Sequence, residues 1–165
     1  MSQAFVAIGS NIDPAIRVPQ AARAIKQSFA AVRFSGCYRN PAFGFEGDDF
    51  VNAVVSFSTM LPIPGLLQRL REIETQCGRG PADPKWGPRA LDLDLLLYDD
   101  VVDQGLGYTL PRRDLLQRVY MLGPLAELAP DWRYPPAGPT IGTLWEQFPK
   151  SGHVLLAVGP DLNQA

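Results

Sequence analysis

The sequence predicts an α+β fold with a β-α-β-β-α-β core, and three observations predict it. Four short runs in the first hundred residues are apolar or alternate apolar with polar residues, the pattern of strands of about five to ten residues. Two stretches with apolar residues at helical spacing separate them, one after the first run and one after the third. The chain is 165 residues long with 46% hydrophobic and 19% charged residues, the balance of one ordinary globular domain. The whole of 1–165 is expected to form a single domain.

Each element has its own signal. Ala4 to Ile8 is an apolar run ended by Gly9-Ser10-Asn11, a strand followed by a turn. Asp13-Pro14 supplies an N-cap and a first-turn proline, and Val18, Ala22, Ile25 and Phe29 carry a helix to about Phe29. Ala31 to Tyr38 alternates as a second strand. Phe50 to Thr59 alternates as a third, with Val51, Ala53, Val55 and Phe57 on one face and Phe50, Asn52, Val54 and Ser56 on the other. Leu66, Leu67, Leu70, Ile73 and Cys77 mark a second helix, with Gly78 where a C-terminal cap belongs. Leu91 to Tyr98 is a fourth strand. This order is the ferredoxin-like one, which implies a mainly antiparallel sheet. Beyond it, Val119 to Leu128 reads as a helix bent at Pro124, Thr140 to Phe148 as a shorter helix, and His153 to Val158 as a last weak strand.

Composition excludes several classes. Fifteen basic residues against seventeen acidic ones give a net charge of −2, without the basic excess of a duplex-binding protein. Cys37 and Cys77 form neither a zinc spacing nor a disulfide framework, and a reducing cytoplasm suits them. No basic, apolar leader opens the chain and no apolar stretch approaches 18 residues, so neither a signal peptide nor a membrane span is expected.

Two Gly/Pro-rich segments, Arg39 to Asp49 and Arg79 to Arg89, are eleven residues each, the length at which a loop usually binds something. The second leads into Asp92-Leu93-Asp94. On a strand these two carboxylates share a face with Cα atoms roughly 6.5–7 Å apart, and they repel unless a cation lies between them. Hard divalent ions with oxygen ligands are the usual solution. Arg79, Lys85 and Arg89 precede the pair, and eight of the fifteen basic residues fall between Arg69 and Arg118. Guanidinium groups match phosphate oxygens, and phosphoryl transfer needs this positioning and charge neutralisation. Phe43, Phe45, Phe50, Trp86 and Tyr120 offer rings for a flat ligand, and Asn52, on the Phe50 face, offers a donor and an acceptor to its edge. Taken singly, most of these residues would pass for core or solvated surface; it is their grouping that signals a site.

Lys85-Trp86-Gly87-Pro88-Arg89-Ala90-Leu91-Asp92-Leu93-Asp94-Leu95-Leu96 resembles the signature of the hydroxymethyl-dihydropterin pyrophosphokinase family. The similarity extends through Ala7–Asn11, Tyr38–Pro41, Phe50–Ala53, Arg71–Glu74, Gly78-Arg79, Leu110-Pro111 and Tyr120–Leu125, roughly residues 4 to 150. The resemblance implies helices on both faces of the sheet, long catalytic loops, and transfer of diphosphate from ATP to 6-hydroxymethyl-7,8-dihydropterin with release of AMP, a step of folate biosynthesis. It implies two Mg²⁺ ions on Asp92 and Asp94, and phosphates gripped by Arg79 and Arg89. Arg71, Glu74, Lys85, Arg112 and Arg118 would line the ATP site. Asn40, Pro41, Phe43, Phe50, Asn52, Trp86 and Tyr120 would hold the pterin. The implied partners are these two small molecules, with no nucleic acid and no membrane, for a monomer in the cytoplasm.

The chain departs from the family pattern at three places. Arg112 stands where a histidine is common, Pro81 where a second basic loop residue is common, and Phe50 lacks a phenol hydroxyl. These predict a slower enzyme and leave a non-catalytic relative as one rival. The other rival, a ferredoxin-like RNA-binding module, conflicts with two carboxylates on the sheet. His153, the only histidine, is read as a surface or packing residue, so no histidine base is expected.

Overall fold

The computed structural model describes residues 1–42, 46–78, 90–151 and 155–164. Its centre is an antiparallel sheet in the order β5-β1-β4-β3-β8, with β2 also paired to β4. The strands are β1 (Ser2–Ser10), β2 (Ala30–Phe34), β3 (Cys37–Asn40), β4 (Phe50–Thr59), β5 (Asp92–Tyr98) and β8 (Leu156–Val158). Helices α1 (Pro14–Ser28) and α2 (Ile63–Gln76) follow β1 and β4, so the ferredoxin-like order holds. Phe50 to Thr59 is a strand with the bounds expected from its alternation.

The central strands are buried on both faces. Val6, Ile8, Ala53, Val55, Phe57, Leu93 and Leu95 pack under α1 and α2 against Val18, Ile25, Leu66, Leu70 and Ile73. Phe5, Ala7, Val54 and Leu96 pack on the other face against α3 (Val119–Leu128), α4 (Ile141–Gln147) and Leu115. Each buried Leu, Ile or Phe side chain contributes about 1.5–3 kcal/mol relative to exposure. α3 is tied to β3 by Glu127, whose Oε2 accepts from the Gly36 backbone N–H at 2.9 Å and whose Oε1 accepts from the Tyr38 hydroxyl.

Three expectations need correction. The second strand is two, because Ser35 interrupts it: its hydroxyl accepts the Val54 N–H at 2.8 Å and its own N–H donates to the Val54 carbonyl. Asp13 does occupy the N-cap, but at φ 49° and with no side-chain cap bond, so Pro14 alone supplies the start signal. A hairpin, β6 (Asp103–Gly105) and β7 (Tyr108–Leu110), was not expected; its three-residue strands are too short to show a period, and only Gly105-Leu106-Gly107 marks the turn. Gly78 does close α2 at φ 98°, a conformation that favours glycine. The weak last strand is found as β8 on the β3 edge; His153 lies outside the described residues. Among the described residues, no helix is long and apolar enough to cross a membrane.

Candidate active site

The topology delivers the chemistry-bearing residues to one end of the sheet. β1 runs out at Ser10, while β4 and β5 run in from Phe50 and Asp92, so the segments before β4 and before β5 both open at that end. Gly9 is the register partner of Asn52 on one side and of Asp92 on the other. Ala7 likewise pairs with Val54 and with Asp94. Paired residues share a face, so Asn52, Asp92 and Asp94 all stand on the α3 side. Two strand spacings put the backbones of Asn52 and Asp92 about 10 Å apart. Gly9, with no side chain, lies between them as a floor.

The amide side is preorganised. Asn52 and Asn40 are both buried, at 6% exposure, although each is an uncharged polar side chain at a strand end. Asn52 Nδ2 donates to Asn40 Oδ1, and Asn40 Nδ2 donates to the Pro41 carbonyl at 3.1 Å. Phe50 pairs with Asn40 across the strands. Asn11 ties down the far end of the same segment, donating from Nδ2 to the Asp48 carbonyl at 3.1 Å. A Cβ on Gly9 would lie 3.1 Å from Asn52 Oδ1 and 3.8 Å from the Phe50 ring. If Asn52 holds a pterin, as the resemblance implies, Gly9→Ala is expected to push the clamped amide aside and raise the Kd of a pterin ligand about tenfold, leaving nucleotide affinity unchanged, as titration calorimetry of both ligands would show.

The carboxylate side is electrostatically loaded. The Asp94 carboxyl is pushed up to about 7, first by burial and then by Asp92, while Arg112 pulls it down and Glu74 opposes that pull. Its side chain is 26% exposed, so a ligand can reach it. A carboxylate this reluctant to ionise beside another is a group that a divalent cation would drive to its charged form, and two hard oxygen donors on one strand face fit such an ion. Among the described residues, no group of three or more His, Cys, Asp or Glu surrounds a metal position. The remaining ligands would come from phosphate oxygens and water, which suits an ion that arrives with a nucleotide.

Glu74 reaches this strand from α2. It is 7% exposed, and its Oε2 accepts the Leu93 backbone N–H at 2.7 Å, satisfying the free edge of β5 between the two aspartates. Arg112 lies across the pair: its backbone N–H donates to the Leu96 carbonyl at 2.9 Å and its Nη1 stands 3.4 Å from Asp94 Oδ1. Arg118 and Tyr120 belong to the same neighbourhood. Burial raises the Tyr120 phenol, Arg118 and Arg112 lower it, and Asp114 and Asp94 raise it. Arg71 stands on the exposed face of α2, its guanidinium 3.3 Å from where a Cβ on Gly107 of the hairpin turn would be. Phe43, Arg79, Pro81, Lys85, Trp86 and Arg89 lie outside the described residues.

Two participants were not singled out from sequence. Gly9 passed as a turn residue, since only register shows that it separates Asn52 from Asp92. Asp114 was missed altogether, although an acid inside Arg112-Arg113-Asp114-Leu115-Leu116-Gln117-Arg118 was a usable signal.

The chain is similar to several known proteins. The family model for 7,8-dihydro-6-hydroxymethylpterin-pyrophosphokinase matches residues 5–130. A 2-amino-4-hydroxy-6-hydroxymethyldihydropteridine pyrophosphokinase of Synechocystis is 41% identical over 147 residues, covering 87% of this chain and 75% of that one. The protein of the same name from Haemophilus influenzae is 34% identical over 164 residues, covering 97% of this chain and 100% of that one. A crystal structure of Plasmodium falciparum HPPK-DHPS superposes with a TM-score of 0.73 over 89% of this chain at 11% identity. The chain spans 45% of that larger molecule, so this likeness concerns the fold alone. The chain belongs to the 7,8-dihydro-6-hydroxymethylpterin-pyrophosphokinase family.

Proposed function

We propose that this chain moves the β,γ-diphosphate of ATP onto the hydroxymethyl oxygen of 6-hydroxymethyl-7,8-dihydropterin, giving the pterin diphosphate and AMP, as a step of folate synthesis. The observation that carries the reading is the row Asn52–Gly9–Asp92, which sets the backbones of a buried amide residue and of one member of a carboxylate pair about 10 Å apart at one sheet end. A flat ring bound at Asn52 over Gly9 would present its substituent toward Asp92 and Asp94.

In this reading Asn52 reads the pterin edge, Asn40 and Pro41 fix the amide, and Phe50, Phe43 and Tyr120 supply ring contacts. The pterin hydroxyl oxygen bonds to the β-phosphorus, the bond from that phosphorus to the α,β-bridging oxygen breaks, AMP leaves with the electron pair, and the hydroxyl proton is released to solvent. Two Mg²⁺ ions held by Asp92 and Asp94 would neutralise the phosphates and lower the pKa of the attacking hydroxyl. Arg79 and Arg89 grip the transferred group, and Arg112, Arg118 and Lys85 hold the remaining phosphate charge. Arg71 and Glu74 lie along the nucleotide, and Trp86 closes over the site, excluding water that would waste ATP. Residues 1–165 act as one domain, as a monomer in the cytoplasm.

The test is AMP release from ATP, Mg²⁺ and 6-hydroxymethyl-7,8-dihydropterin, with each omitted in turn. AMP is expected only from the complete mixture. Binding of both substrates without AMP would instead identify a relative that kept the pocket and lost the reaction, the outcome for which Pro81 and Arg112 are the candidate causes.

A further inference from the structure

We propose that Asp114 is a positioning residue for the nucleotide phosphates: a single carboxylate that aims Arg112 and Arg118 and keeps Arg112 from settling on Asp94. The proposal rests on the reading that Arg112 meets phosphate. Asp114 Oδ1 accepts from Arg112 Nε at 2.9 Å, and its Oδ2 faces Arg118 Nε at 3.7 Å. The Arg112 contact is a hydrogen bond at Nε, and the Arg118 contact is a longer ionic approach, also at Nε.

Arg112 has two carboxylates to choose from. Its Nη1 stands 3.4 Å from Asp94 Oδ1, longer than its contact to Asp114. Without Asp114, the nearest acceptor for the whole guanidinium would be Asp94, and Arg112 would then occupy an oxygen that a metal ion requires. The backbone around Asp114 is fixed independently. Gln117 N–H donates to the Asp114 carbonyl at 2.9 Å, Leu115 N–H donates to the Arg112 carbonyl at 3.2 Å, and Leu115 is fully buried. The Arg112, Asp114 and Arg118 side chains are 33%, 24% and 21% exposed, so each is partly open to solvent.

The sign of the effect separates positioning from simple charge. Deleting a negative charge beside a polyphosphate site would by itself tighten nucleotide binding. Loss of positioning weakens it.

Calorimetric titration of the full chain with Mg²⁺ and α,β-methylene-ATP, a nucleotide that cannot give up its diphosphate, reads this directly. Asp114→Asn is expected to raise the analogue Kd about tenfold and leave the Kd for 6-hydroxymethylpterin unchanged, with Asp114→Glu recovering most of the loss. Arg112→Ala is expected to weaken the analogue, and adding Asp114→Asn to it should cost less than the same change in the wild-type chain. Arg112→Lys keeps the charge but has no Nε for Asp114; it should lose about as much as Asp114→Asn, and it carries the test if Asp114→Asn does not fold.

Unchanged or tighter analogue binding in Asp114→Asn, with Arg112→Ala weakened, would overturn the role of Asp114 and leave that of Arg112 standing. Unchanged binding in Arg112→Ala would overturn the phosphate role of Arg112 and this proposal with it. Wild-type affinity in Arg112→Lys would overturn the proposal alone.

Discussion

Asp94→Asn is expected to abolish diphosphate transfer and, in the same protein, to raise the melting temperature at pH 8. The first effect follows from the donor set. The site offers two carboxylates on one strand face, and losing one forfeits several kcal/mol of charge neutralisation, a rate loss of about 10³-fold or more. The second effect follows from what the carboxylate costs the fold when no cation is bound. Its value of about 7 lies above the usual 3.8 because burial and Asp92 disfavour its charge.

Below about pH 4 the folded and unfolded chains both hold the proton, and the group has no effect on stability. Between pH 4 and 7 the unfolded chain releases the proton while the folded chain retains it, so stability falls as pH rises. Above 7 the penalty is constant. Asparagine keeps the shape and escapes the penalty. At about 1.36 kcal/mol per unit the full shift would be worth about 4 kcal/mol. Exposure of a quarter of the side chain and sharing with Arg112 bring the expected gain to about 1–2 kcal/mol, or about 3–6 °C for a chain of this size. The gain should vanish at pH 4. Thermal melts from pH 4 to 8 without metal, beside an AMP assay, decide it. A variant that is inactive but no more stable at pH 8 would show that the carboxylate carries no electrostatic strain, and an active variant would remove Asp94 from the transfer chemistry.

The fold was legible in the sequence because its first strand is an apolar run closed by Gly9-Ser10-Asn11 and its longest strand alternates over ten residues. The Phe50–Thr59 strand and the two helices beside it needed no tertiary information. Ser35 did, since a serine hydroxyl that replaces a carbonyl in a ladder looks the same in sequence as a serine within a strand. The β6–β7 hairpin has strands of three residues, too few to carry any period. The site divides in the same way. Asp92 and Asp94 were legible because a period of two places them together without further knowledge of the fold. The row from Asn52 through Gly9 to Asp92 was not, because register between strands more than forty residues apart depends on the whole sheet. Nor was the hold of Asp114 on Arg112 and Arg118, which depends on where the chain turns after β7.

Register also makes the second large effect specific. Asn52→Asp changes one NH₂ to an oxygen at nearly constant volume, at a position that is 6% exposed. Three things then fail together. The donor to Asn40 Oδ1 is lost, leaving two acceptors facing each other. Asn40 cannot simply turn its amide over, because its Nδ2 is engaged by the Pro41 carbonyl. The edge above Gly9, where Oδ1 stands, gains a negative charge. A buried polar group left unpaired costs about 1–3 kcal/mol, and a site built to pair with its ligand loses more than one such bond. The expected result is a pterin Kd raised about 100-fold or more, with the Kd for α,β-methylene-ATP within about threefold of wild type, because the aspartate pair lies two strands away. Asn52→Leu removes donor and acceptor without adding charge, and it should lose pterin affinity to a similar extent. If Asn52→Asp alone were impaired, the new charge would be the cause. If both variants bound pterin normally and lost nucleotide instead, the ring-reading end of the row would be misassigned, and Asp92 rather than Asn52 would mark the only substrate end of the sheet.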